Sequence, residues 1–367
     1  MDRRDFLTAA GIAGIAGLAG CTGGPTGGNG NGTGDGSKTK GTSGKSAAAQ
    51  IAMIYATGGL GDGSFNDQAQ DGVQKAKKKL NVESDLSQPE NISDFAQFQQ
   101  RYARTTSPNY DLICCIGGLQ KESLTETAPK FPEQNFTIID ATVNEKNVES
   151  YRFREHQGSF QVGHLAGLLT TMNLSAGKGK TNDGLKVGFV GGKKLPLIKK
   201  FEAGYKAGVK HVNKDISVPS TYVGSFNDIA GGKRAAMTQY NDGADIIYHA
   251  SGNTGTGVFQ AAKQAGRYAI GVDSDQSISK PKYADVILAS MVKHADLTVF
   301  NSIKHVVNNN FQGGTTTKLG LKENGVETVY GQSLGSKIPE SVKSKLEKTR
   351  QKIISGKIEV PKKPSNG

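Results

Sequence analysis

Two pentapeptides in the chain are identical: Gly63-Ser64-Phe65-Asn66-Asp67 and Gly224-Ser225-Phe226-Asn227-Asp228, 161 residues apart. Each sets an aromatic ring among polar side chains. That is a poor position for a core residue and a suitable one for stacking, so two such rings from facing lobes would sandwich a flat ligand. The plainer alternative is that Ser, Asn and Asp cap the next helix while Phe serves as a hydrophobic staple. Against covalent or metal chemistry, the chain has no Gly-x-Ser-x-Gly elbow, no Walker loop and no His-Glu-x-x-His, and its six His are scattered. An Asp cluster at strand ends could still hold a metal and cleave a glycosidic bond, so a nucleoside-hydrolysing or sugar-acting enzyme stands as an alternative.

The elements that must position these residues alternate along the body. Apolar or β-branched runs at 51–56, 111–117, 135–141, 185–192, 221–226, 244–250, 268–273 and 285–292 read as strands. Helix-like segments lie between them at 67–80, 92–105, 160–172, 196–212, 228–240, 257–265 and 295–310. This alternation predicts an α/β fold of parallel sheets with helices on both faces, as one large sheet or as two in two lobes. Nearly every run ends in a loop rich in Gly, Asp or Asn, such as Asp140, Ser251-Gly252-Asn253 and Asp273-Ser274-Asp275. Ligands of open α/β sheets lie beyond the carboxyl ends of the strands, so a small-molecule crevice is expected there. Cys114 and Cys115 are adjacent on one such run and should point to opposite faces as buried hydrophobes, so no disulfide framework is expected.

The 367 residues suggest two lobes or domains, and the shortage of apolar residues is concentrated near the start. Residues 22–47 hold 10 Gly in 26 positions and read as a flexible tether, spanning about 28 Å as a Gly-rich coil. Upstream, Arg3-Arg4 and an apolar run from Phe6 to Gly20 form an export signal over 1–20 that is similar to a twin-arginine signal. The run is too short to span a bilayer. Leu18-Ala19-Gly20-Cys21 looks like a lipobox, with Cys21 lipidated as the first mature residue. Of the net charge of +12, half falls between Lys337 and Lys363, where eight Lys and one Arg face three Glu. Val342, Leu346, Ile353 and Ile354 make this stretch a surface helix with a solvated basic face. Attraction to an anionic membrane is the other reading of that face, whereas the lack of stacking aromatics argues against nucleic acid.

Several stretches resemble one family in order and spacing. They include Gly61-Asp-Gly-Ser-Phe-Asn-Asp-Gln-Ala, Phe153-Arg-Glu-His-Gln-Gly-Ser-Phe-Gln-Val-Gly-His-Leu-Ala-Gly, Phe201-Glu-Ala-Gly-Tyr-Lys-Ala-Gly, Ile270-Gly-Val-Asp-Ser-Asp-Gln and Ser290-Met-Val-Lys. The family is that of the basic membrane lipoproteins, substrate-binding proteins of ABC transporters that include purine nucleoside receptors. The resemblance implies a type I periplasmic-binding-protein fold, two parallel-sheet α/β lobes joined by a three-strand hinge. The lobes are expected at 48–154 with 293–312 and at 155–292 with 313–363, with crossings near 153–155 and 291–293.

For the site, the resemblance implies that Phe65 and Phe226 hold a base, that Asp62, Asn66 and Asp273 are polar contacts, and that Lys293 reaches the ribose. Asp140 and Gly252 are further candidates. A carboxylate accepts from two hydroxyls at once, so Asp273 is expected on the ribose diol, where its charge would disfavour a phosphate. The family often has an acidic pair where this chain has Glu155-His156-Gln157. Together these readings predict a non-enzymatic, monomeric lipoprotein without cofactor or metal. It is expected on the extracytoplasmic face of the cell membrane, binding a nucleoside, with purine favoured by some relatives, and passing it to an ABC permease. A ligand-sensing lipoprotein with another ligand would use the same cleft.

Overall fold

The computed structural model describes residues 46–364. The export signal, Cys21 and all but the last residues of the tether lie outside the described residues. The chain first runs β1 (Gln50–Ile54), α1 (Phe65–Leu80), β2 (Glu83–Ser87), α2 (Phe95–Arg104), β3 (Leu112–Ile116), α3 (Lys121–Thr127), β4 (Phe136–Ile139) and β5 (Val148–Phe153). It continues through α4 (Glu155–Thr170), a short hairpin of β6 (Ser175–Ala176) and β7 (Gly179–Lys180), β8 (Gly188–Gly191), α5 (Pro196–Val212), β9 (Ser220–Tyr222) and α6 (Ile229–Asn241). There follow β10 (Ile246–Ala250), α7 (Gly255–Ala265), β11 (Tyr268–Asp273), α8 (Gln276–Ser279), β12 (Ile287–Lys293), α9 (Ala295–Val307), β13 (Thr316–Leu319), β14 (Val326–Tyr330) and α10 (Glu340–Ile354).

Two six-stranded sheets result, in the orders β13-β5-β4-β3-β1-β2 and β14-β12-β11-β10-β8-β9. Every pairing in the first is parallel, and in the second only β14 runs antiparallel, against β12. Central strands such as β3 and β10 are buried along their whole length, which is why they read as unbroken apolar runs. Cys114 and Cys115 lie on β3 in separate core clusters on its two faces, each a free, buried thiol.

The chain passes between the sheets three times: from β5 into α4, from β12 into α9, and from β13 to β14. The last crossing differs from the expectation that the second lobe resumes at residue 313. Thr316–Leu319 pairs with Ser150–Phe153, so the first sheet keeps the chain through Leu319. That strand has two exposed residues among its four, a sheet edge with too little apolar character to mark itself. Helix α10 buries Val342, Leu346, Thr349 and Ile353 and leaves most of its lysines in solvent, the surface helix anticipated. Among the described residues no helix is long and apolar enough to cross a membrane.

Helices α4 and α5 approach very closely along glycines. A Cβ at Gly163 would lie 2.1 Å from the Tyr205 carbonyl oxygen, and one at Gly204 2.1 Å from that of His156. This contact runs the two helices alongside each other, with the first turn of α4 against the middle of α5.

Candidate functional site

The carboxyl ends of both sheets open into one cavity of about 1320 Å³, and all eight residues singled out from the sequence line it. They do so in different ways. Asp62 accepts hydrogen bonds from the amides of Ser64 (2.8 Å) and Asn66 (3.1 Å) and from Asn66 Nδ2 (3.1 Å), while Asn66 Oδ1 accepts from the Ala56 amide at 2.9 Å. Asp67 accepts from the amides of Gly61 and Gly63 at 2.7 Å each. These side chains therefore shape the loop from β1 to α1 and set Phe65 at its tip. On the other lobe Asp228 caps α6 by accepting from the Gly231 amide, and Phe226 rests over Gly192 and Gly252. Gly252 has φ +56, which favours glycine, and a Cβ there would stand a tight 3.2 Å from the Phe226 carbonyl oxygen, so Gly252 packs closely against Phe226.

The charged centre is Lys293 at the end of β12, buried and flanked by carboxylates from both sheets. Its Nζ donates to Asp140 Oδ2 at 2.7 Å and stands 3.7 Å from Asp273 Oδ1 and 4.1 Å from the Phe65 ring centroid. Burial alone would lower the Lys293 pKa, but Asp140, Asp273 and Glu155 outweigh it and hold the ammonium firmly protonated. Asp273 is pushed up by burial, with Lys293 and the Ser64 hydroxyl pulling the other way. Both aspartates end their strands with positive φ, +73 at Asp140 and +66 at Asp273, a strained conformation for a non-glycine residue. Asp140 Oδ1 is buried without a hydrogen-bond partner. Asp275, two residues further on, caps α8 by accepting from the Ser277 amide, which leaves Asp273 to the cluster.

Other participants carry no sign of their role in the sequence. Ser64 Oγ donates across the lobes to Asp273 Oδ2 at 2.6 Å, and the Gly63 carbonyl accepts from Ser274 Oγ, Gln276 Nε2 and Ser279 Oγ at 2.9–3.0 Å. These bonds clasp the β1–α1 loop onto the segment after β11. Glu155 pairs with Lys200 at 2.5 Å beside the cluster, its carboxyl pushed up by burial against that lysine. Here a signal did exist: lysines in the first turn of a helix run against its dipole, so Lys199-Lys200 at the start of α5 point to acidic partners nearby.

Two lobes, three crossings and a ligand-sized cavity beyond the strand ends define a type I solute-binding protein. The Bmp family of ABC transporter substrate-binding proteins, PnrA-like, matches residues 49–364, and the chain belongs to it. It is similar to the ABC transporter nucleoside-binding protein BmpA of Lactococcus lactis subsp. cremoris, 32% identical over 88% of this chain and 92% of that one. An uncharacterised lipoprotein of Pyrococcus abyssi is 35% identical over 76% of this chain and 68% of its own. Among solved structures, an ABC transporter solute-binding protein of Aeropyrum pernix K1 shares 28% identity at a TM-score of 0.75, covering 87% of this chain and 94% of that one. The family's role is solute binding for ABC transport, which implies a small-molecule ligand and a permease partner.

Proposed function

We propose that the cleft binds a nucleoside and that the protein, acting as a monomeric lipoprotein anchored at Cys21 on the outer face of the cell membrane, hands it to its permease. The observation that carries this reading is the buried Asp140–Lys293–Asp273 cluster, with Asp140 Oδ1 unpartnered, lying beside Phe65 in the interlobe cavity. An unmatched buried acceptor is costly, and a sugar hydroxyl would supply the missing donor. A vicinal diol can donate to both carboxylates and accept from the ammonium, a match that a single hydroxyl cannot make. Phe65 and Phe226 then hold the base from the two lobes, each contributing roughly 0.5–1.5 kcal/mol beyond its burial. The nucleoside-binding relative supports the same reading.

Calorimetric titration of the full chain with adenosine, guanosine, inosine, cytidine, uridine and ribose tests it. A dissociation constant near 1 µM, about −8.2 kcal/mol, is within reach of two rings and a diol clamp. At least one nucleoside is expected to bind, and Phe65→Ala and Asp273→Ala are each expected to abolish binding. Failure of every nucleoside would overturn the assignment while leaving the fold and family in place.

A further inference from the structure

A nucleoside bound at Lys293 leaves the basic part of the cavity unexplained. Nine cationic side chains line the cavity against four carboxylates, those of Asp62, Asp140, Glu202 and Asp273. Lys200, Lys206 and Lys293 are paired with Glu155, Glu202 and Asp140. The other six, Lys121, Arg152, Lys194, Lys199, Lys362 and Lys363, have no carboxylate within ion-pair distance among the described residues. At about 1320 Å³ the cavity also exceeds the ~300–1,000 Å³ usual for a small ligand.

Two of the six, Lys194 and Lys199, stand where α5 begins. No side chain caps that helix, its first turn has no acidic residue, and Lys193-Lys194 and Lys199-Lys200 surround its opening, against the helix dipole. Pro196 brings no amide, and the first closing bond runs from the Lys199 amide to the Leu195 carbonyl, so the amides of Leu197 and Ile198 lack an intrahelical acceptor. The following turn of α5 reaches the diol cluster, since the Phe201 ring centroid is 5.8 Å from Lys293 Nζ. An anion tethered to the sugar would satisfy the lysines, the open amides and the dipole together.

We propose that the cleft accepts a phosphorylated nucleoside, its phosphate held by Lys194, Lys199 and the amides that open α5, and its sugar on Asp140, Asp273 and Lys293. This rests on the nucleoside reading of the cleft. It also locates the phosphate away from Asp273, whose charge opposes a phosphate only at the diol itself.

The test is calorimetry of the full chain with the common nucleosides, their 5′-monophosphates, ribose 5-phosphate and inorganic phosphate, at low and high salt, with the K194Q/K199Q variant alongside. A monophosphate is expected to bind about tenfold or more tighter than its nucleoside at low salt. That ratio should fall towards one at high salt and in K194Q/K199Q. A monophosphate that binds no tighter than its nucleoside, or an advantage that survives K194Q/K199Q, overturns the proposal. Nucleosides that bind while their monophosphates do not leave the nucleoside reading standing and remove this one. Binding of ribose 5-phosphate or inorganic phosphate that K194Q/K199Q abolishes, with no binding of nucleosides, keeps the anion site and removes the nucleoside reading.

Discussion

At the scale of single residues, the site is built from groups that pay for their placement. Asp140 and Asp273 adopt a backbone conformation that costs about 1–3 kcal/mol each, and the cluster around Lys293 replaces the solvation they lose. The next residue, His294, works at the hinge. Its Nδ1 meets Asp296 Oδ1 on α9 of the first lobe at 3.3 Å and its Nε2 meets Glu327 Oε1 on β14 of the second at 2.9 Å. Gln68 on α1 also binds Asp296, and Arg350 on α10 lies near Glu327, where its positive charge favours the ionised carboxylate. The two hydrogen bonds, to Asp296 and then Glu327, raise the His294 pKa to about 9 despite burial. The folded state therefore binds a proton more tightly than the unfolded chain. Its contribution is complete below the ordinary value of 6.5 and is lost as pH rises through about 9. Urea denaturation at pH 6.5 and pH 9.5 is expected to show a fall on the order of 2 kcal/mol in the parent that His294→Gln flattens; equal slopes in the two proteins would refute the clamp.

At the scale of elements, the clasp of the β1–α1 loop joins the two lobes beside the cleft. Three side-chain donors from the segment after β11 converge on one carbonyl of the other lobe. Removing two of them in a Ser274→Ala/Ser279→Ala variant should cost about 1–3 kcal/mol of the closed state, at roughly 0.5–1.5 kcal/mol per hydrogen bond. Nucleoside affinity read by calorimetry should weaken by about 5- to 100-fold, and an unchanged affinity would show that the clasp does not contribute to closure. Which elements were legible follows from burial. Helix α5 falls on the expected 196–212, and α10 shows the expected apolar spacing. Strands β2, β5, β13 and β14 and the β6–β7 hairpin were not anticipated. Strands β2, β13 and β14 lie at sheet edges and are only partly buried, so their register comes from the neighbouring strand rather than from their own composition, whereas β5 is central and buried but has its apolar run interrupted by Glu149 and Arg152. Strand β9 is shorter than the run at 221–226, because Gly224–Asp228 turns away to deliver Phe226 to the cavity.

At the scale of the whole molecule, the two lobes meet through three crossings and a ring of cross-lobe hydrogen bonds around a shared cavity. On the proposed function the receptor must stay near its permease, and a single acyl chain at Cys21 would serve that need only marginally unless a second contact helps. Cys21→Ala is expected to shift the chain from the membrane fraction to the soluble fraction on cell fractionation. A membrane share equal to the parent's would show that the anchor is elsewhere.

The alternation of strands and helices is written in the amino-acid order, because burial on both faces of a parallel sheet demands continuous apolar runs. So is the choice of loops that carry the cavity-lining rings, because the Gly-Ser-Phe-Asn-Asp repeat sets a turn, an aromatic and a helix start in adjacent residues. The duties of those residues came from the folded molecule alone. Asp62 and Asn66, read as ligand contacts, direct most of their polar atoms to the loop that carries Phe65. Asp140, a lesser candidate on sequence, became the partner of Lys293 across 153 residues. The Gly63 clasp and the basic opening of α5 likewise join groups far apart in the chain. Local composition reports how a segment is buried, whereas the pairing of charges and donors depends on which strand ends the two sheets bring together.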